Sequence, residues 1–296
     1  MEHIKSLAGH FKRIRMLYLL ILPAVLYFII FTYFPVLNGF RISFQDYRFI
    51  GASKFVGLKN YIEAIHTPGF WRVFGNTLIL GLSNVILTAF IPMFLALLLN
   101  EVQFTPWKRF SQTIIYMPHL FSWVIVGGIW IFILSPNSGL INILRSFFGK
   151  PSIYFMAKES YARTIMIGVN LWKQSGYVCI LYLASIAGIN TELYEAAMID
   201  GAGSFKRALY ITVPELVSTL KVVLLLNVMG ALRIFNQIYV MRNEVIAPKI
   251  DVLMYYVYDR GLAQFKLGYA SAISVIVFVI TMIITIISLK LIKYKI

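Results

Sequence analysis

Polar side chains interrupt two long apolar stretches in the second half of the sequence. One group follows Val169, and the other lies between Leu226 and Ile238. Amides and cations in apolar stretches of this length should face the interior of a helix bundle or a water-filled path, because their exposure to lipid is costly. We take the following side chains as candidates for a substrate path, with no catalytic role: Asn170, Trp172, Lys173, Gln174, Tyr177, Asn227, Asn236 and Gln237.

Chemistry that would need a nucleotide or a metal ion has no counterpart in the sequence. The fragment nearest to a phosphate-binding loop, residues 149–152, lacks the hydroxyl residue that must follow the lysine. The four histidines are scattered and Cys179 is the only cysteine, so neither a metal site nor an intrachain disulfide is expected. His119, beside Pro118, is expected to be a packing or interfacial residue. We therefore expect no enzymatic activity and no cofactor in this chain.

The composition places these side chains in a membrane protein. Hydrophobic residues make up 59% of the 296 residues and charged residues only 13%, whereas soluble domains average about 45–50% and about 25%. The net charge of +15 could indicate a nucleic-acid partner. However, the lysines and arginines flank apolar runs and form no basic stripe, which favours contacts with lipid headgroups and not with nucleic acid.

Six apolar segments are long enough to cross the hydrocarbon core as helices of about 20 residues. The sequence thus predicts an all-α integral membrane protein with a single domain, a six-helix bundle. Basic residues precede the first segment, but its apolar run is too long for a cleaved signal, so we expect an uncleaved span. The predicted spans are residues 17–37, 77–99, 114–134, 165–186, 217–240 and 269–292.

An even number of spans places both termini on one side of the membrane. The N-terminal segment is basic, and so is the C-terminal end with Lys290, Lys293 and Lys295. Because positive charge favours the cytoplasmic side, we expect both termini to be cytoplasmic. The first outer connection, residues 41–72, is aromatic and mixed in charge and is expected to form a folded cap.

The most polar connection on the expected cytoplasmic side is residues 190–214. It contains Glu195-Ala196-Ala197, Gly201, Ile211 and Pro214. This spacing resembles the EAA loop of binding-protein-dependent ABC importer permeases, whose pattern is Glu-Ala-Ala-x3-Gly-x9-Ile-x-Leu-Pro. Val213 replaces the leucine of that pattern. The resemblance implies a coupling site for an ATPase at Glu195, Ala196, Ala197, Asp200, Gly201, Ile211 and Pro214.

The local chemistry of this loop predicts a short exposed helix from Leu193 to Ile199. Thr191 is the expected N-cap, and Glu192 and Glu195 lie near the positive end of the helix. Asp200-Gly201 is the expected end of the helix, and Gly201 and Gly203 would both permit the turn that follows. The small side chains of the two alanines would let another protein approach the backbone closely.

The resemblance covers most of the chain and extends to the carbohydrate-uptake branch of these permeases. It is carried by residues 22–24, 55–61, 116–118 and 235–240. It implies a type I importer in a prokaryotic cell membrane that moves a sugar, in particular an oligosaccharide. The implied partners are a second permease subunit, usually a different chain, two cytoplasmic ATPases that carry ATP and magnesium, and an external substrate-binding protein. The amides and aromatics of the substrate-path candidates suit such a ligand, since sugars take hydrogen bonds and ring stacking.

Two other functions stay open on the residues alone. A membrane scaffold could bind a soluble partner without transport, and an ion-coupled carrier could use the same polar groups. The carrier is disfavoured because the predicted spans contain no Asp or Glu. A further hypothesis is an acidic substrate paired with Lys173, Lys221 and Arg233, and the alternative is that these cations extend to lipid headgroups.

Overall fold

The computed structural model describes residues 17–291, and most of them are helical. Four helices are by themselves long and apolar enough to cross a bilayer, and the number rises to six if two bent helix pairs each form one span. Each of the six predicted spans overlaps one of these elements, and Ile292 lies outside the described residues. In chain order the helices are α1 (Leu17–Ser43), α2 (Lys59–His66), α3 (Pro68–Asn100), α4 (Thr105–Leu120), α5 (Trp123–Ile133), α6 (Leu140–Phe147), α7 (Glu159–Ala187), α8 (Thr191–Ile199), α9 (Ser204–Gly230), α10 (Asn236–Met241), α11 (Ala247–Ile250), α12 (Leu253–Tyr258) and α13 (Leu267–Leu291).

The connection between α1 and α3 folds into a small cap. Two strands, β1 (Gln45–Asp46) and β2 (Lys54–Phe55), pair antiparallel with Gln45 opposite Phe55. The Asn60 side chain of α2 donates hydrogen bonds to the carbonyl oxygens of Ser43 and Gln45, at 2.9 and 3.0 Å. The region predicted as a cap is therefore ordered, although its ends belong to α1 and α3.

The third predicted span, residues 114–134, is not one helix. Its chain bends by 105° between α4 and α5. Phe121 leaves the helix with an extended backbone, and the Ser122 side chain accepts a hydrogen bond from the Ile125 N–H at 3.4 Å. Ser122 thus caps the start of α5, because a serine oxygen can satisfy one of the free N–H groups at a helix start. The span prediction missed this cap because it depended on the length of the hydrophobic run.

The fifth predicted span, residues 217–240, is displaced along the chain. Its helix, α9, begins at Ser204 and ends at Gly230, and residues 236–241 form the separate helix α10. Residues 204–214, which were assigned to the loop after α8, are therefore the first turns of α9. One of these turns, Ala208–Thr212, is a π-helical turn with one residue more than an α-helical turn.

Helix α7 lies at the centre of the bundle and has a distinct partner at each end. Near its C-terminal end, Tyr182 is fully buried in a cluster with Ala89 of α3 and Leu216 of α9. Nearer its N-terminal end, Met166 and Val169 belong to a cluster with side chains of α5 and α10. The chain then bends by 71° from α7 into α8, so the orientation of α8 depends on the position of α7.

A polar network ties the N-terminal end of α7 to its neighbours. The Arg163 guanidinium donates to Asn76 Oδ1 at 2.8 Å, and the Asn76 amide donates to the carbonyl oxygens of Pro248 and Asp251 at 3.0 and 3.1 Å. The Asp251 carboxylate pairs with Arg242 at 2.9 Å. This network lies at the opposite end of α7 from α8.

Burial and neighbouring charge shift the pKa values of the ion pair in this network in opposite directions. Burial raises the pKa of the Asp251 carboxyl above its usual value, and the neighbouring Arg242 only partly offsets the effect. Burial would lower the pKa of Arg242, but its hydrogen bonds with Glu244 and Asp251 outweigh that effect and raise it. The guanidinium therefore stays charged, and the pair holds together the connection from α10 to α12.

Candidate functional site: a polar cavity and an exposed connecting helix

A cavity of about 400 Å³ lies between α3, α7, α9 and the break between α4 and α5. This volume is within the usual range of ligand sites, about 300–1,000 Å³. Apolar side chains form part of the wall. The polar and aromatic lining residues are Asn84, Thr88, His119, Trp123, Asn170, Gln174, Tyr177, Asn227, Arg233, Phe235, Asn236 and Gln237.

Six of the eight substrate-path candidates line this cavity, and two do not. Trp172 is on another face of α7, where its ring meets Trp130 edge to face at 5.6 Å. Lys173 is only 6% exposed, and its ammonium binds backbone carbonyl oxygens. The candidates that the structure brings together in the wall are Asn170, Gln174, Tyr177, Asn227, Asn236 and Gln237.

Several side chains of the wall hold one another in place. His119 stacks on Tyr177 with ring centroids 4.7 Å apart, and its Nδ1 lies 3.0 Å from Gln174 Oε1. On the facing wall, the Asn227 amide donates to Thr88 Oγ1 at 2.9 Å. The Gln237 amide donates to the Met166 carbonyl oxygen at 2.7 Å. The polar groups are therefore preorganised by hydrogen bonds and stacking before any ligand binds.

Among the described residues 17–291, Arg233 is the only lining residue with a permanent charge, and no carboxylate lines the cavity. Within residues 17–291, Arg233 takes part in no ion pair and its guanidinium in no side-chain hydrogen bond. Its side chain is exposed and borders a second, more open cavity as well. The wall therefore offers one cation that is available to a ligand.

Sequence reasoning missed several residues of the wall. His119 was expected to be a packing or interfacial residue, but His119 and Trp123 flank the break between α4 and α5 and face the cavity. The sequence feature that could have indicated the break is Ser122, a residue type that favours helix starts and that lies close to a proline-containing turn. Asn84 and Thr88 are four residues apart in an apolar helix, and this helical spacing could have placed them on one face.

The second part of the site is the exposed connecting element, residues 190–214, which contains α8. The expected helix from Leu193 begins two residues earlier, at Thr191. Its N-cap is Asn190 and not Thr191, since the Asn190 side chain accepts a hydrogen bond from the Glu192 N–H at 3.0 Å. An asparagine cap satisfies an N–H group at the helix start as well as a threonine does.

The turn after α8 depends on one of the two predicted glycines. Gly201 has a φ of +75°, a backbone conformation that residues other than glycine rarely adopt. Gly203 has a φ of −69°, which any residue can adopt. Of the two glycines that were expected to permit the turn, only Gly201 has a backbone conformation that favours glycine.

The connecting element presents a surface of apolar and charged side chains. Glu195, Ala196, Asp200, Gly201 and Pro214 are exposed, while Ala197 and Ile211 are partly buried. Beside them, Ile199 is 87% and Phe205 79% exposed. Ile199 lies outside the spanning helices and Phe205 lies at the start of α9, and large exposed apolar side chains at such positions indicate a surface for another protein.

Hydrogen bonds connect this surface to the bundle. Tyr194 of α8 bonds to Thr212 at 2.9 Å, and Ser185 of α7 bonds to Thr219 of α9 at 2.8 Å. Helix α7 itself runs without a break from Asn170, in the cavity wall, to Ala187, a distance of about 25 Å at 1.5 Å per residue. The cavity and the connecting element are therefore joined by a rigid helix.

A multi-span helical bundle with a polar cavity and an exposed connecting helix defines a membrane transport component. The family model of the binding-protein-dependent transport system inner membrane component matches residues 89–294. The chain belongs to this family of ABC transporter permeases.

Named relatives and a solved structure resemble almost the whole chain. The chain is 38% identical to the polygalacturonan/rhamnogalacturonan transport system permease protein YteP of Bacillus subtilis, over 94% of this chain and 87% of that protein. It is 31% identical to the arabinooligosaccharides transport system permease protein AraP of the same organism, over 93% and 87%. A crystal structure of a bacterial ABC transporter that imports the acidic polysaccharide alginate matches with a TM-score of 0.91 at 31% identity, over 97% of this chain and 98% of that one. The permease fold expected from the EAA-like loop is thus confirmed.

Proposed function

We propose that this permease moves an oligosaccharide from an external binding protein through the cavity into the cytoplasm. The observation that carries the proposal is the preorganised polar cavity, which one continuous helix links to the connecting element. Amide groups of Asn227 and Asn236 can bond sugar hydroxyls, while the rings of Tyr177 and Trp123 can stack on C–H faces. The relatives named for polysaccharide and oligosaccharide transport support this substrate class.

The energy for this movement comes from separate ATPase chains, which bind ATP and magnesium. The connecting element is the surface on which one of them acts, since its exposed apolar and charged side chains suit a protein groove. The motif residues of this coupling site are Glu195, Ala196, Ala197, Asp200, Gly201, Ile211 and Pro214. A second permease subunit completes the pathway, and both termini lie in the cytoplasm with the connecting element.

Reconstitution separates this function from that of a scaffold. The chain would be assembled in proteoliposomes with its partner permease, the ATPase and the binding protein, and uptake of labelled oligosaccharides would be measured together with ATP hydrolysis. We expect uptake that requires ATP and the loaded binding protein. A complex that assembles but hydrolyses ATP at one rate with and without the loaded binding protein, and takes up no sugar, would establish a scaffold instead.

The orientation has a test of its own. Tags at the two termini should be accessible to impermeant reagents only after the cells are opened, because the positive ends of the chain favour the cytoplasm. Labelling of either tag on intact cells would overturn the proposed topology without affecting the transport experiment.

We further propose that the oligosaccharide is acidic. Arg233 brings an available positive charge into a wall to which the described part of the chain contributes no carboxylate, and a uronate carboxylate could form a charge-assisted bidentate pair with it. Lys173 does not contribute to this proposal, because its ammonium is fully used by backbone oxygens. In proteoliposomes, oligogalacturonate and neutral oligoarabinan of equal length would compete for uptake, and preference for the neutral sugar would refute the acidic assignment.

A further inference from the structure

The break between α4 and α5 leaves the backbone carbonyl groups of His119 and Phe121 without helical partners, and the Pro118 carbonyl accepts only a long bond of 3.4 Å from the Phe121 N–H. The last carbonyls of any helix have no N–H group to accept from within that helix. A membrane protein tolerates such a break only where the freed groups find other partners or line a cavity. The structure provides a partner for these carbonyls from a different helix.

The partner is the Lys173 ammonium of α7. Its Nζ donates to the carbonyl oxygens of Pro118, His119 and Phe121, at 3.3, 2.9 and 2.6 Å. An ammonium has three donors, so these contacts use its full capacity. The positive charge is also favourable at the negative end of α4 and above the Trp123 ring, 5.5 Å from its centroid.

A second observation at the same contact is independent of the lysine. Gly176 lies three residues further along α7, and a Cβ atom there would overlap the carbonyl oxygen of Ile115 in α4. The two helix backbones therefore touch beside the lysine contact. His119 adds its bond to Gln174 and its stacking on Tyr177.

We propose that Lys173 is a positioning residue, which fixes His119 and Trp123 in the cavity wall by binding the carbonyls at the break. The kinetic consequence of this inference rests on the proposed transport function, whereas its structural consequence does not. Because Lys173 lies on α7, the wall formed by the break should keep its place relative to Asn170, Gln174 and Tyr177 during transport.

Hydrogen exchange on the purified chain tests the structural part without any substrate. In Lys173→Met, backbone amides of residues 119–125 should exchange about tenfold faster, because several charge-assisted hydrogen bonds are lost. Lys173→Arg, which keeps the charge and the donors, should stay within about twofold of the wild type. Unchanged exchange in Lys173→Met, or equal exchange in Lys173→Met and Lys173→Arg, would overturn the proposal.

A glycine pair on α7 supplies the matched control. Gly176→Ala should speed exchange at the break even though the ammonium is present, because its methyl group pushes α4 away. Gly168→Ala should have no effect, since nothing lies within 4 Å of its Cβ position. Equal exchange in the two alanine variants would contradict the close contact.

Kinetics separate positioning from general destabilisation. With the reconstituted complex and oligogalacturonate, Lys173→Met should raise the KM for uptake about tenfold with kcat nearly unchanged, and Lys173→Arg should restore it. Should Lys173→Met fail to assemble, Lys173→Gln replaces it: an intermediate KM supports the proposal and a wild-type KM overturns it. Lack of wild-type uptake of both oligogalacturonate and neutral oligoarabinan would instead refute the proposed function and leave the exchange experiment to decide the role of Lys173.

Discussion

The connecting element and the cavity differ in how the chain builds them. The connecting element is made from 25 consecutive residues, 190–214, and its turn, cap and exposed surface follow from neighbours in sequence. The cavity is assembled from segments as far apart as Asn84 and Gln237. A contiguous element can be disabled by one backbone change, whereas a dispersed wall should lose its function in smaller steps.

The largest effect should come from the backbone of the connecting element. Gly201→Val forces a β-branched residue into a positive φ, which costs about 1–2 kcal/mol and displaces the turn. Since misplacements of about 1 Å can cost about a hundredfold in rate, we expect uptake per ATP hydrolysed to fall by about that factor. Uptake and ATP hydrolysis would be measured together in proteoliposomes.

Gly203→Val is the matched control for this change. Its φ of −69° accommodates valine, and nothing lies within 4 Å of its Cβ position. Coupling in this variant should stay close to that of the wild type. Equal loss in both variants would mean that side-chain bulk, and not the backbone conformation, disturbs the ATPase.

Removal of the cavity charge should have the next largest effect. Arg233→Gln should raise the KM for oligogalacturonate about thirtyfold, because hydrogen bonds to a charged group are worth about 1.5–3 kcal/mol. The KM for a neutral oligosaccharide should not change. Lys221→Gln, on α9 but outside the cavity wall, should leave both values unchanged, and a similar rise in this control would remove the special role of Arg233.

Two aromatic residues of α7 test the boundary of the cavity. Tyr177 and Trp172 are equally exposed, at 41% and 40%, but only Tyr177 lines the wall. Tyr177→Ala should raise the KM for the sugar about fivefold through the loss of stacking, while Trp172→Ala should have little effect. A larger effect of Trp172→Ala in the uptake assay would place the sugar path on the other face of α7.

The smallest effect should come from the start of α8. Asn190→Ala removes the cap and costs about 1 kcal/mol, so amides at the start of the helix should exchange about fivefold faster. Thr191→Ala should exchange like the wild type, because Thr191 is not the cap. Hydrogen exchange of the purified chain would distinguish these variants, and faster exchange in Thr191→Ala alone would reverse the assignment.

The difference between a contiguous connecting element and a dispersed cavity also explains which features the sequence could predict and which it could not. The EAA-like motif, the helix over residues 193–199 and its end at Asp200-Gly201 depend on adjacent residues and were predictable. The displaced end of α9 and the bend at Ser122 were not, because apolar runs predict hydrophobic length without showing where a cap interrupts a helix. Lys173 was placed in the substrate path by its residue type, but its three carbonyl partners lie more than 50 positions away in sequence.

The π-helical turn at Ala208–Thr212 gives the base of α9 an angular offset. One residue advances an α-helix by about 100°, so the extra residue rotates Phe205 relative to the membrane-embedded part of α9 by about this angle. The offset depends on how many residues the turn contains and not on their side chains. Substitutions at the exposed Leu209 and Tyr210 should therefore keep the offset, while deletion of a single residue of this turn would rotate the exposed Phe205 surface by about 100° about the helix axis.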